Sequence, residues 1–256
     1  MSDNKTRERE FHDARFKEDV DPRDKLGKYY AITGASNDLF KQLIVENIRP
    51  GQNLLEYGCG TEGDFSFYKQ LGCNLFGIDI SKEAIAKQAK KASSLGINAS
   101  YSVQDAESTT FAPQTFDLVV GSGILHHLSL QKSLAELARI TTSGGTCVFS
   151  EPLGHNPLIN LFRNLTPKLR TVDEHPLLDA DIQLMRRYFK EVSVHYFYLF
   201  SLMAVAFRKT SLFDKVYGKL MGLDNYLIRR FPSLGKYAWI CIIKLKSPQA
   251  AALNPA

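Results

Sequence analysis

The sequence predicts an α/β fold: a doubly wound, mostly parallel seven-stranded sheet with an antiparallel C-terminal hairpin strand, plus a helical insertion near the C-terminus. Two observations carry that prediction. From residue 53 to residue 150, short apolar runs alternate with helical stretches, a rhythm that builds parallel strands joined by right-handed crossovers. The first of those runs, in LLEYGCG, ends directly in glycines, where a strand must turn tightly into a helix.

Taken in order, the residues before about 28 read as a charged, partly helical arm, with Phe11 and Phe16 as its contact points with the body. The arm mixes both charge signs and lacks the apolar stretch of a signal peptide, so no export is expected. Lys28 to Asn47 reads as a helix around Tyr29 and Tyr30. After the turn signal Arg49-Pro50-Gly51 come a strand, Asn53 to Tyr57, the glycines, and a helix. The pattern repeats as strand Asn74 to Ile80, helix Lys82 to Leu95, strand Ala99 to Val103 and strand Phe116 to Gly121. Helix Leu130 to Ile140, a turn at Ser143-Gly144-Gly145 and strand Thr146 to Ser150 complete it. Beyond Glu151 follow a Pro-punctuated loop, a helix near Asp179 to Tyr188, a strand from Val192, an apolar helical region to about Arg230 and a last strand, Tyr237 to Lys246. Two late strands separated by an insertion suit an antiparallel hairpin at the sheet edge.

Composition narrows the functional classes. At 256 residues and 44% hydrophobic, the chain can bury one sizeable core. Its 32 Lys and Arg against 27 Asp and Glu are spread out and leave a net charge of +5, without the dense basic face that nucleic acid requires. The cysteines, Cys59, Cys73, Cys147 and Cys241, form no CxxC pair and read as reduced thiols of a cytoplasmic protein. No compact metal-ligand set stands out, so no metal residue is assigned.

Gly58 and Gly60 lie where a ligand can approach the backbone without meeting a Cβ. With Gly63 they also spell GxGxxG, and Asp79 ends the next strand, as a dinucleotide fold would require. On glycines alone the two readings stand level. Glu56 separates them: its carboxylate opposes a pyrophosphate but suits a positively charged aminoacyl group. A hydride-transfer enzyme would also need a second site, and no YxxxK pair occurs.

An acidic residue, one residue, then Gly-x-Gly, filled here by Glu56, Gly58 and Gly60, resembles the first motif of class I S-adenosylmethionine-dependent methyltransferases of the bacterial small-molecule type. The family's usual third glycine would fall at Glu62, with Gly63 beside it. The resemblance runs in order from Tyr29 to Pro152 and includes FGIDIS, QDAES and FDLVVGSGILHHL. It implies S-adenosylmethionine as cofactor, held by Glu56, Gly58, Cys59 and Gly60. It further implies Asp79 with Ile80 at the ribose, Asp105 with the Ala106 backbone at the adenine edge, Gly121 on the fourth strand and Tyr30 in an N-terminal lid. The chain then divides as one domain into an arm or lid (1–47), a cofactor-binding core (48–152) and a substrate side (153–256).

Methyl transfer needs alignment above all, and a base only where the nucleophile arrives protonated. Candidates follow strands four and five, where open α/β sheets place ligands: His126 and His127, then Glu151 and His155. The long segment after Pro152 adds Arg163, Arg170, Asp173, Glu174 and His175, which suit an acceptor loop or pair to pin it. YFYLFSLMAVAF, residues 196–207, is too short for a convincing membrane span. It could wall an acceptor pocket, form a homodimer face, rest peripherally on a membrane or serve as ordinary core, and we take the first. The reading is a cytoplasmic enzyme methylating O or N of a lipophilic small molecule, with no nucleic-acid partner. The alternatives are an NAD(P)-dependent oxidoreductase and a non-catalytic cofactor-binding regulatory module.

Overall fold

The computed structural model describes residues 3–17, 32–61, 63–166 and 174–249. Tyr29, Tyr30, Glu62, Arg170 and Asp173 lie outside the described residues. Helix α1 (Asp3–Lys17) precedes α2 (Gly34–Asn47), after which strands and helices alternate: β1 (Asn53–Tyr57), α3 (Phe65–Leu71), β2 (Asn74–Asp79), α4 (Lys82–Ser94), β3 (Ala99–Val103) and β4 (Phe116–Ser122). Then come α5 (Leu130–Ile140), β5 (Thr141–Pro152), α6 (Pro157–Leu165), α7 (Asp179–Met185), β6 (Phe189–Phe197), α8 (Phe213–Arg230) and β7 (Ile240–Pro248).

The strands form one 7-stranded sheet in the order β3-β2-β1-β4-β5-β7-β6. Only β7 runs against its neighbours, β5 and β6, so the other strands share one direction. Both faces are covered, which is why the central strands are apolar without a break. Leu55, Tyr57, Val119, Cys147 and Phe149 face α5 and α7 in one buried cluster. Their neighbours Leu54, Leu118, Val120 and Val148 point the other way, into a cluster with Leu43 and Ile44 of α2 and Tyr68 of α3. The strand period of two thus fills both layers from the same residues.

Three boundaries differ from the sequence reading. The Ser143–Gly145 turn lies inside β5, because Thr141 already pairs with Phe116 and the register then jumps to Leu118 opposite Thr146. The intervening residues bulge outward from a strand that is continuous at both ends. β6 begins at Phe189, and β7 begins at Ile240, after a 3-10 segment at Pro232–Tyr237. The apolar stretch 196–207 is not one helix: Tyr196 and Phe197 end β6, and Ser201–Phe207 form a 3-10 turn. Between them Tyr198, at φ +69, turns its ring into the protein, where its hydroxyl accepts the Ser36 N–H at 2.9 Å and donates to Ser36 Oγ at 3.0 Å. No helix among the described residues is long and apolar enough to cross a membrane.

Asp224 of α8 ties this insertion to the sheet. Only 2% exposed, its carboxylate accepts the N–H groups of Leu199 (3.0 Å), Phe200 (2.8 Å) and Ser201 (3.0 Å) and the Ser201 hydroxyl (2.6 Å). Removing it strands several buried donors, each at a cost of about 1–3 kcal/mol. Asp224→Ala should therefore lower unfolding free energy in urea by roughly 2–4 kcal/mol, and Asp224→Asn by less, because it keeps one acceptor oxygen.

Candidate functional site

The sheet order decides which residues meet. Chain direction through the sheet reverses at β1, with β2 and β3 on one side and β4 and β5 on the other, and such a switch point leaves a crevice beyond the carboxyl ends of the strands. A cavity of about 690 Å³ lies there. Crossing the sheet, its wall takes Asp105 and Ala106 after β3, Asp79 and Ile80 at β2, Gly58, Cys59 and Gly60 at β1, Gly121 to Ile124 with His126 and His127 at β4, Glu151 at β5, and Trp239 and Ile240 at β7.

The glycine turn is held by β2. The amides of Gly58 and Cys59 both donate to the Ile78 carbonyl at 2.9 Å. Gly58 has φ +74, and a Cβ there would sit 2.7 Å from the Ile124 side chain. Asp79 accepts the Gly60 N–H at 2.9 Å on one oxygen and the Ser81 N–H at 2.8 Å on the other. Burial raises its pKa, while those two N–H bonds pull the other way. Each carboxylate oxygen keeps a further acceptor position, so Asp79 can fix the turn and still receive hydroxyls from a ligand. Gly63, the last glycine of GxGxxG, is not part of the wall and packs toward Gln88.

Beneath the turn lies Glu56. Tyr68 donates to its Oε1 at 2.9 Å, whereas Oε2 is buried without a hydrogen-bond partner. Burial raises its pKa to about 7, with the Tyr68 bond opposing. A half-satisfied carboxylate in a cavity wall is a receptor for a cation that can donate hydrogen bonds, and it repels phosphate. This is the observation on which the aminoacyl end of S-adenosylmethionine fits.

One side of the cavity is closed by α1. Lys5 bridges to Asp105, and to Glu107 at 2.7 Å; Asp13 meets the Ser81 hydroxyl; and the Phe16 ring lies 3.9 Å from the Cβ position of Gly60. Phe16 is a contact point as the sequence suggests. Lys5, Glu8 and His12 were not singled out there, although the spacing 5, 8, 12, 16 marks one helical face. Ala106 is buried, and its carbonyl accepts the Tyr57 hydroxyl. Burial also pushes the Cys59 thiol up, away from reactivity.

Glu151 and His126 form a second polar centre. Glu151 is 1% exposed; its Oε1 accepts the N–H groups of Ile124 (2.9 Å) and Leu125 (2.8 Å), and its Oε2 lies 2.7 Å from His126 Nδ1. With Nδ1 engaged by that carboxylate, Nε2 is the remaining ring nitrogen of a side chain that lines the cavity. The His127 ring lies 4.2 Å from that of His126, and burial lowers its pKa. His155 departs from its expected place. It is absent from the cavity wall, and its Nε2 accepts the Asp179 N–H at 3.1 Å at the start of α7, a structural bond that occupies the nitrogen a base would need. Arg163 and Glu174 do line the cavity, next to Leu158, Ile159, Phe162 and Leu202.

Residues 55–149 match a family model described as a methyltransferase domain. Among curated relatives, phosphoethanolamine N-methyltransferase 1 of Zea mays is 27% identical over 110 residues, 43% of this chain and 22% of that protein. An aklanonic acid methyltransferase of Streptomyces sp. (strain C5) is 33% identical over 108 residues, 40% of this chain and 49% of that one. The matches therefore span half or less of the relatives' own length. Among solved structures, phosphoethanolamine N-methyltransferase 2 of Haemonchus contortus, in complex with phosphomonomethylethanolamine and S-adenosylhomocysteine, superposes with a TM-score of 0.63 at 17% identity, covering 89% of this chain and 58% of that one.

The buried carboxyl of Glu56 gives a signed test. Its folded value of about 7 lies above the ordinary carboxyl value of 4.5, so its contribution to stability is complete below about pH 4.5 and is lost as pH rises through 7. The full difference is about 3 kcal/mol. Urea unfolding of the ligand-free protein should show wild type losing stability against Glu56→Gln between pH 5 and pH 8, and parallel profiles would refute the burial argument.

Proposed function

We propose that this chain is a class I, S-adenosylmethionine-dependent enzyme that methylates O or N of a hydrophobic small molecule, a reading supported by the match of residues 55–149 to a methyltransferase domain. The observation that carries the proposal is the single cavity in which the glycine turn, the Glu151–His126 pair and an apolar wall follow one another. The relatives are named for phosphoethanolamine and aklanonic acid, both small molecules. Exposed Leu158, Leu161 and Leu165 share one face of α6 beside the mouth, which offers a lipophilic acceptor a path from solvent or from a membrane surface. Four free cysteines suit a cytoplasmic enzyme.

The cofactor, when bound, supplies a methyl group on a sulfonium. Glu56 would hold its ammonium end, with Gly58, Cys59 and Gly60 allowing close backbone approach. Asp79 and Ile80 would border the ribose and Asp105 and Ala106 the adenine, while Gly121, where a Cβ would stand 2.7 Å from Phe149 and 2.8 Å from Ile124, lets β4 pack against both. The chain's further task is to align the acceptor, exclude water and take up a proton where the acceptor carries one. Glu151, saturated on Oε1 by two amides, holds His126 with Nδ1–H inward. The Nε2 lone pair would take up the acceptor's proton while the acceptor atom bonds the methyl carbon, whose bond to sulfur breaks with its electron pair passing to sulfur.

An acceptor screen read by mass spectrometry tests the activity: lipophilic phenols, alcohols or amines should gain one methyl and yield one S-adenosylhomocysteine. With an acceptor found, His126→Ala should lose about 10²–10⁴-fold in kcat with unchanged affinity for S-adenosylhomocysteine, and Glu151→Gln should follow it. A loss of only a few-fold in both would remove the base and leave alignment alone.

A further inference from the structure

The methyl-transfer reading leaves one set of ligating side chains unused. Glu8 and His12 lie one turn apart on α1, and His12 Nε2 is 3.3 Å from Glu8 Oε2. His127, from the loop after β4, brings its Nδ1 to 3.6 Å from the same Glu8 oxygen. The rings of His12 and His127 meet edge to face with centroids 5.6 Å apart. One ligand atom from each of the three residues lies within 4.8 Å of the others.

These separations are long for hydrogen bonds, which run to about 3.2 Å. They are close to the roughly 3.3–3.4 Å between two donors that each stand about 2.0–2.1 Å from a tetrahedral ion. His127 Nδ1 is buried and has no hydrogen-bond partner. On the opposite side of that ring, Glu174 Oε1 stands 3.7 Å from Nε2, beyond hydrogen-bond length here but on the side where an outer carboxylate would orient a ligating imidazole. The nearest lysine on α1, Lys5, is committed to Asp105 and Glu107 and adds little opposing charge.

We propose that Glu8, His12 and His127 bind one divalent transition-metal ion of the zinc class, which fastens α1 across the mouth of the cavity. Two imidazoles and one carboxylate are a donor set for Zn²⁺ rather than for Mg²⁺ or Ca²⁺. With three protein ligands, a fourth position stays open to water or to a donor atom of the acceptor. The ion would join segments more than a hundred residues apart, a link that α1 otherwise makes through Lys5, Asp13 and Phe16. The proposal concerns metal binding and holds whether or not the methyl-transfer reading does.

The test is calorimetric titration of the chelator-stripped full chain with Zn²⁺, paired with thermal unfolding at the same concentrations. One equivalent should bind and raise Tm. His12→Ala and Glu8→Gln should each weaken binding by about 100-fold or more and lose the Tm rise, while Glu174→Gln should lose less, since outer partners contribute about 10–100-fold. His195→Ala, on β6, should bind as wild type. The variants' metal-free Tm values, compared with wild type, establish that each is folded. The proposal is overturned if folded wild type takes up no zinc, or if His12→Ala and Glu8→Gln bind as wild type while Glu174→Gln does not; the latter result would place the ion on His126, His127 and Glu174.

Discussion

Everything in the cavity depends on the reversal of strand order at β1 and on the carboxylate that locks it. Parallel strands deliver their carboxyl ends to one edge, and the reversal separates the following helices, so the crevice cannot be filled by the fold's own side chains. Asp79 then joins β2 to the turn after β1 through the Gly60 and Ser81 amides. The glycines matter because of what stands opposite: at Gly58 any Cβ would meet Ile124, a residue fixed in turn by Glu151. The glycine turn and the Glu151–His126 pair are thus one mechanical unit.

The same edge concentrates carboxylates. Glu8, Glu56, Asp79, Asp105, Glu107, Glu151 and Glu174 all line the cavity, and charge of one sign held in a partly desolvated space disfavours the empty folded state. Some of that charge is offset internally: Lys5 answers Asp105 and Glu107, and backbone amides answer Glu151. Glu56 is not fully answered, and it carries a pKa near 7 in consequence. A site that is strained when empty and relieved by a cation spends stability on affinity, the usual relation between function and marginal folding.

The sheet and the glycine turn were legible because both are local. Strand periodicity gave β1 to β4 nearly residue by residue and the middle of β5, and the spacing of Glu56, Gly58, Gly60 and Asp79 gave the turn. His126 and Glu151 could be placed at strand ends, yet their mutual bond depends on the register of β4 with β5, which periodicity does not encode. His155 looked equivalent to them until α7 was seen to claim its nitrogen. The α1 face was hidden for a different reason: Lys5, Glu8, His12 and Phe16 form an almost wholly polar stripe, and a polar stripe reads as solvent-facing unless one knows that it covers a polar cavity. The Ser143–Gly145 bulge likewise reads as a turn, because glycines report backbone freedom and not whether pairing resumes beyond them.

Proton exchange during cofactor binding probes the central claim most directly, because it couples the identity of the ligand to the state of Glu56. Calorimetric titration with S-adenosylhomocysteine at pH 6.5, repeated in buffers of different ionisation enthalpy, should show one site per chain and net proton release, as the ligand's ammonium draws Glu56 into its charged form. Glu56→Gln should bind more weakly and lose that release, and NAD should produce no binding heat. Tight binding of NAD with none of S-adenosylhomocysteine, or binding of S-adenosylhomocysteine with identical proton exchange in wild type and Glu56→Gln, would contradict the account.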